Sequence, residues 1–382
     1  MNRPYRKVVG EGASHSLATH GGAVLAEQVL NLTRGVPPAE VFPVEDLVDC
    51  ARTILAKDAA VLLQYGRSPG YLPLREWLAQ RYGVKPEQVL LGNSSLEIFS
   101  FLTETLLRPG TRAFVESPSY DRAIALVRRA GAELVGIPLE ADGLDVDAFE
   151  AELKKGVPAL VYLIVDFQNP SGVTTSLEKR RRLAELAQRY GFWIAEDAPY
   201  RALRYWGDEV PTLWSLAPDR VLHMSSFSKV LAPGLRLGYV VGPAEMIASL
   251  ARWAVDTYIG PVFPTQGIVY EYCRRGLLEP NIARLKEVYR PRLQATLEAL
   301  EAHLPGATWM RPEGGFFVGV TLPKGADIGA LLPRAEQAGL KLSDGRGFFP
   351  NPADGTRFLR IPFCSVTPEG LHQAIARLAT LL

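Results

Sequence analysis

Between about residues 46 and 265 the chain alternates short apolar runs with amphipathic stretches of helical period, and no other feature limits its fold as strongly. The runs that read as strands are Gln88 to Leu91, Arg112 to Glu116, Glu133 to Pro138, Leu160 to Val165, Phe192 to Glu196, Val221 to Met224 and Leu237 to Val241. They are apolar throughout rather than in alternation, so both faces of each strand need cover, as in parallel sheets with helices on either side. The class is therefore α/β, built on a mostly parallel seven-stranded sheet. Ligands in such sheets collect beyond the carboxyl ends of the strands, which makes polar residues there the first candidates for a site. After Pro264 the texture changes to helix, with a long charged stretch near 280 to 303, then to short strands around GGFFVGVTLP and RFLRIPF.

Several strand ends carry chemistry. The run over 159–165 leads into Asp166-Phe167-Gln168-Asn169-Pro170-Ser171-Gly172, which puts an amide side chain in a turn. The run over 192–200 delivers Asp197, with Tyr200 three residues on. The run from Val221 leads into SSFSKVLAPGLRLGY, which sets Lys229 after Ser226 and Ser228 and before Pro233, Gly234 and Arg236. Each has an ordinary reading alone, as turn residue, strand-end cap or loop lysine. Together they suit an aldehyde cofactor bearing a phosphate, pyridoxal 5′-phosphate (PLP). The lysine amine can hold the aldehyde, while the serines and the guanidinium bind the phosphate dianion. The Asp197 carboxylate can keep a pyridine nitrogen protonated, so that the ring accepts electrons from a substrate Cα, and Asn169 and Tyr200 can hydrogen-bond the ring 3-oxygen. GNSSLEIF follows the strand VLL and opens an apolar helix, so the Ser95 hydroxyl and the backbone at Leu96 face an anion at a helix N-terminus. The same serines can also cap that helix.

At 382 residues, 47 % of them hydrophobic, the chain can bury one large core or form two domains. Lys plus Arg number 42 against 41 Asp plus Glu, a net charge of +1 without long runs of one sign, so no nucleic-acid surface is advertised. Cys50, Cys273 and Cys364 are scattered and odd in number, which fits a reducing compartment better than a disulfide framework. The five histidines show no paired metal-ligand spacing, so no metal site is expected. Walker A and GxGxxG fingerprints are absent. No apolar run approaches membrane-spanning length, and the start, MNRPYRKVVGEGASH, lacks the apolar segment of a secretory leader. The expectation is a soluble cytoplasmic protein that acts on small molecules, with neither nucleic acid nor membrane as a partner.

In chain order the motifs NLTRGVPPAEVFP, LQYGRSPGYLPLREWL, GNSSLEIF, VESPSY, FQNPSG, EDAPYRAL, SFSKVLAPGLRLGY, RPEGGFFV and FLRIPF make the chain similar, from about Asn31 onward, to the fold-type I PLP enzymes of aminotransferase class I/II. It resembles most the branch of 2-aminoadipate and kynurenine aminotransferases and bacterial aromatic or branched-chain aminotransferases. The resemblance implies a large PLP-binding domain over 46–265 and a small α+β domain from 1–45 and 266–382; the first 25 residues, which lack periodicity, read as a mobile stretch or a lid segment. It implies that Tyr120 stacks on the cofactor ring, that Arg360 grips the substrate α-carboxylate, and that Gly35 brings backbone up to the substrate. It also implies a homodimer in which Tyr65 reaches the cofactor phosphate of the neighbouring subunit. Arg34 stands where the family residue is often small; it can serve an acidic substrate side chain or stay in solvent. The chain departs from the family at Leu96, where a glutamine is usual, at Pro362, where Asn or Ser is usual, and at Asp166.

The implied reaction is transamination. Lys229 carries a proton away from the substrate Cα as base and returns it as acid, one α-amino acid becomes a 2-oxo acid, and a second 2-oxo acid such as 2-oxoglutarate takes up the amino group. Aromatic, branched-chain or 2-aminoadipate-like donors are expected over aspartate, with the FFP segment at 348–350 and Tyr258-Ile259-Gly260 lining an apolar pocket. The same fold also hosts elimination (C–S lyase), decarboxylation, racemisation and oxidative chemistry, which the departures keep open. A PLP-binding domain of a winged-helix regulator is a further alternative, disfavoured because only about thirty residues precede NLTRGVPP.

Overall fold

The computed structural model describes residues 29–382. In chain order the elements are β1 (Leu30–Leu32), α1 (Val44–Leu62), α2 (Leu72–Tyr82), β2 (Val89–Gly92), α3 (Ser95–Leu106), β3 (Arg112–Ser117), α4 (Asp121–Arg129), β4 (Glu133–Glu140), β5 (Gly143–Leu144), α5 (Val146–Lys155), β6 (Leu160–Leu163), α6 (Leu177–Tyr190), β7 (Trp193–Asp197), α7 (Leu213–Leu216), β8 (Val221–Ser226) and β9 (Gly238–Val241). They continue with α8 (Ala244–Tyr258), α9 (Phe263–Arg274), α10 (Leu278–His303), β10 (Thr308–Trp309), β11 (Phe317–Thr321), α11 (Ile328–Gln337), β12 (Leu340–Leu342), β13 (Phe358–Pro362) and α12 (Pro368–Ala379).

The large sheet has the order β2-β9-β8-β7-β6-β3-β4-β5. Its centre, from β4 through β3, β6 and β7 to β8, is parallel, and β9 runs antiparallel between β8 and β2. All the expected strands are present, and the sheet carries an eighth, the two-residue β5, antiparallel to β4. Two residues have no periodicity to read, so this strand had no signal in the sequence. The apolar runs are buried on both faces, as their composition requires: α3, α4 and α8 cover one side through Phe99, Leu102, Ile124 and Leu250, and α5, α6 and α7 cover the other through Phe149, Leu183 and Leu213. Side-chain caps fix where these helices begin, Ser94 on α3, Asp145 on α5 and Ser176 on α6.

β10, β11 and β13 form a smaller antiparallel sheet, and β1 pairs with β12. A third core joins this sheet to α10 and α12 through Val318, Leu359, Leu293 and Leu371, and extends to α1, α2 and α9. Two consequences position the site. Parallel register leaves the carboxyl ends of β6, β7 and β8 side by side, and the β11 to β13 ladder sets Arg360 opposite Gly319 at the facing edge of the small sheet. The lid segment expected over the first 25 residues lies outside the described residues.

Candidate active site

A cavity of about 380 Å³ opens between the segment Thr33 to Val36, the start of α4 and the loop before β13. Lys229, Asn169, Tyr200, Tyr120 and Arg360 all line it. Lys229 lies three residues beyond the end of β8, and its Nζ donates to the Gly35 carbonyl at 3.4 Å while standing 5.9 Å from the rings of Tyr200 and Phe316. Burial pushes its pKa down, and the nearby Arg360 acts in the same sense, so the amine is drawn toward its neutral, nucleophilic form.

Arg360 is held as a rigid fork. Nη1 donates to Asn169 Oδ1 at 3.0 Å, Nη2 to the Thr33 carbonyl at 2.9 Å, and the guanidinium stacks on the rings of Phe317 at 4.7 Å and Phe348 at 4.5 Å. Its buried Nε has no partner among the described residues. A planar cation stacked on two rings, with N–H donors to spare, is suited to a carboxylate. Asn169 spends its oxygen on Arg360, which leaves its amide nitrogen to donate into the cavity.

Asp197 ends β7 within the sheet. Tyr162 on β6 donates its phenol to Asp197 Oδ2 at 2.7 Å, whereas Oδ1 is buried with no partner among the described residues. Burial pushes this carboxyl up to about 6, against the hydrogen bond from Tyr162 and the charges of His223 and Lys229. Sequence reasoning missed Tyr162. The available signal was a lone hydroxyl in the otherwise aliphatic strand Leu160–Leu163.

The anion cradle is built from three chain segments. Register places Ser226 opposite Gly238. A Cβ on Gly238 would lie 2.3 Å from the Ser95 nitrogen, so only glycine lets β9 approach the N-terminus of α3 this closely. No partner is found for the Ser95 and Leu96 N–H groups among the described residues. The Ser226 hydroxyl lies 2.9 Å from Ser228 Oγ and 3.1 Å from the Leu237 carbonyl, which braces the lysine loop. Arg236 is exposed, near the Pro233 carbonyl at 3.4 Å, and holds a left-handed backbone at φ +47°. Such a conformation is uncommon for a residue other than glycine and is frequent at ligand sites.

The family described as aminotransferase class I and II matches residues 27–378. The chain belongs to that family. It is 36 % identical over 371 residues to aromatic-amino-acid aminotransferase 1 of Thermococcus litoralis, covering 93 % of this chain and 88 % of that protein. Among solved structures, a Pyrococcus horikoshii kynurenine aminotransferase in complex with PMP superposes with a TM-score of 0.89 at 34 % identity, over 93 % of this chain and 91 % of that one. The α-aminoadipate aminotransferase of Thermus thermophilus, complexed with N-(5′-phosphopyridoxyl)-L-leucine, gives 0.88 at 33 %, over 93 % and 92 %. The fold is that of the fold-type I PLP aminotransferases, and the chain is an enzyme of amino-group transfer.

The other residues expected of an aminotransferase site fall in different places. Tyr120 immediately precedes α4, and its phenol is pushed up to about 12, chiefly by burial. Tyr200 packs edge-on against Phe317 at 5.7 Å. A Cβ on Gly35 would strike the Phe317 ring at 2.3 Å, which explains a glycine beside the cavity. Arg34 lines the cavity mouth from an exposed position. Tyr65 is 81 % exposed and lies outside the cavity. Of the FFP segment only Phe348 lines it; Phe349 lines a neighbouring cavity of about 310 Å³. Tyr258, Ile259 and Gly260 do not line it, and Ile259 is 58 % exposed. Asp166 turns away into a buried cluster with Arg180 at 2.7 Å and Arg201 at 2.9 Å. That departure from the family motif thus sits in a buried ion cluster and does not line the cavity.

Proposed function

We propose that this aminotransferase binds PLP beyond β6, β7 and β8 and moves the amino group of an α-amino acid to a 2-oxo acid such as 2-oxoglutarate. The observation that carries the reading is the orphaned, buried Oδ1 of Asp197. A buried carboxylate oxygen is costly unless a donor meets it, and a pyridinium N–H is such a donor. The same site holds a buried amine and a spare guanidinium donor, and Arg360 and Asp197 both act on the ionisation of Lys229, in opposite senses. When bound, PLP supplies a protonated ring that draws electrons from the substrate Cα. Lys229 holds the aldehyde and then moves a proton at Cα. Asp197 keeps the ring nitrogen charged, Asn169 and Tyr200 donate to the ring 3-oxygen, and Tyr120 stacks on the ring. Ser95, the Leu96 N–H, Ser226, Ser228 and Arg236 take the phosphate. Arg360 orients the α-carboxylate beside Gly35.

The relatives are named for aromatic amino acids, 2-aminoadipate and kynurenine. We assign this chain aromatic, branched-chain or 2-aminoadipate-like donors, since Phe317, Phe348, Tyr120 and Val36 give the cavity apolar walls and Arg34 stands at its mouth without an ion pair among the described residues. Such relatives do not favour a lyase, decarboxylase, oxidative or regulator reading. The proposed unit is a homodimer with a large domain over 46–265 and a small one from 1–45 and 266–382, Tyr65 serving the neighbouring subunit. The three cysteines are free and buried, which supports a cytoplasmic enzyme. No helix among the described residues is long and apolar enough to cross a membrane. Borohydride reduction of the PLP-loaded protein followed by peptide mapping should put the cofactor on Lys229, and Lys229→Ala should lose the absorbance and nearly all turnover. Labelling of another lysine would refute the assignment.

A further inference from the structure

We propose that Tyr162 is a positioning residue for the cofactor's ring nitrogen: its phenol fixes Asp197 so that Oδ1 meets the nitrogen, and keeps that carboxylate the weaker base of the pair. The inference rests on the PLP reading of Asp197. Tyr162 pairs with Ala195 on the neighbouring strand, two residues before Asp197 and on the same face of the sheet, so its ring runs along β6 toward the end of β7. Its ring packs on Phe99 at a centroid distance of 4.6 Å, and the residue is 1 % exposed. Among the described residues the hydroxyl hydrogen-bonds one partner, Asp197 Oδ2 at 2.7 Å. Charge-assisted bonds of this length are among the strong ones.

One oxygen is thereby occupied and the other left free, which settles the carboxylate's rotation. A donor to the ionised form also favours that form. Without it Asp197 becomes more basic, and the proton shared with the ring nitrogen shifts toward the carboxylate, weakening the ring as an electron acceptor. The other titratable groups facing Asp197 are Tyr120 at the start of α4, Tyr200 and Lys229 from the loops, and His223 from β8. Among these and Tyr162, only Tyr162 hydrogen-bonds it.

The test uses holoenzyme loaded with PLP carrying 15N in the ring, titrated by NMR. In Tyr162→Phe the 15N signal below the titration midpoint should move toward that of a neutral pyridine nitrogen, because the shared proton passes to the carboxylate, and kcat should drop by about 10- to 100-fold, the range of hydrogen bonds to charged groups. KM for the amino donor should hold, because Arg360 is untouched. Site-specific replacement of Tyr162 by 3-fluorotyrosine, a stronger donor, should move the signal the opposite way, toward the fully protonated ring, and this variant decides the matter if Tyr162→Phe does not fold. A wild-type nitrogen signal in these variants, or a change confined to melting temperature, overturns the proposal. Asp197→Asn separates the two levels: if it shifts the nitrogen signal while the Tyr162 variants do not, only the present inference fails. If Asp197→Asn also leaves the signal unchanged, or the wild-type protein retains no PLP, the reading of Asp197 fails with it.

Discussion

Asp197 shows how one side chain is tuned at the expense of the empty fold. The unfolded chain releases this proton near 3.8 and the folded chain near 6, so in between the folded state binds more protons and apoenzyme stability falls as pH rises. The gap corresponds to roughly 3 kcal/mol, present below the lower value and lost above the upper one. Apo Asp197→Asn should therefore melt higher than apo wild type at pH 8 and show no gain near pH 4; an equal difference at both values would show that the carboxyl is not held up by burial. Arg34 tests specificity at the same scale. If it meets an acidic side chain, Arg34→Ala should lower kcat/KM for 2-aminoadipate and glutamate by about 10- to 100-fold and spare leucine and phenylalanine. An equal loss for all four donors would return Arg34 to solvent. Residue types were legible in the sequence at Lys229, Asp197, Asn169 and Arg360, because their chemistry is local to a motif. Partnerships were not: Tyr162 meets Asp197 across two strands 35 residues apart, and Asn169 meets Arg360 across 191.

At the scale of elements the site depends on how closely β9 can approach α3. A methyl group on Gly238 would overlap the Ser95 nitrogen and the Ser94 carbonyl carbon, 2.3 and 2.6 Å away, both backbone atoms. Overpacking of this kind typically costs about 1 to 3 kcal/mol. Gly238→Ala should weaken PLP binding by about tenfold or more, measured by titrating the apoenzyme, with little change in far-UV circular dichroism. Unchanged affinity would place the phosphate elsewhere. The alternating runs made β2 through β4 and β6 through β9 readable, since burial on both faces leaves a continuous apolar signature. The short strand β5 and the left-handed turn at Arg236 were hidden, the first by length and the second because backbone angles follow from packing.

For the whole molecule, the strongest sequence signal was the order of motifs from NLTRGVPP to FLRIPF, and the fold brings most of them to one cavity. The exceptions are informative. Tyr65 stands in solvent, where its motif had suggested a site role, and Ile259, expected to line the pocket, is exposed as well. If Tyr65 serves a neighbouring subunit, mixing inactive Lys229→Ala with an inactive Tyr65 variant should restore activity, because one site of each hybrid dimer keeps both residues. No recovery under conditions that exchange subunits would remove Tyr65 from the site. The central claim, amino-group transfer at Lys229, meets its most direct test in a half-reaction. PLP-loaded protein mixed with a reactive amino acid and no acceptor should form one 2-oxo acid per site and stop, with the cofactor absorbance shifted until 2-oxoglutarate restores it. Continuous product formation without any 2-oxo acid would contradict transamination.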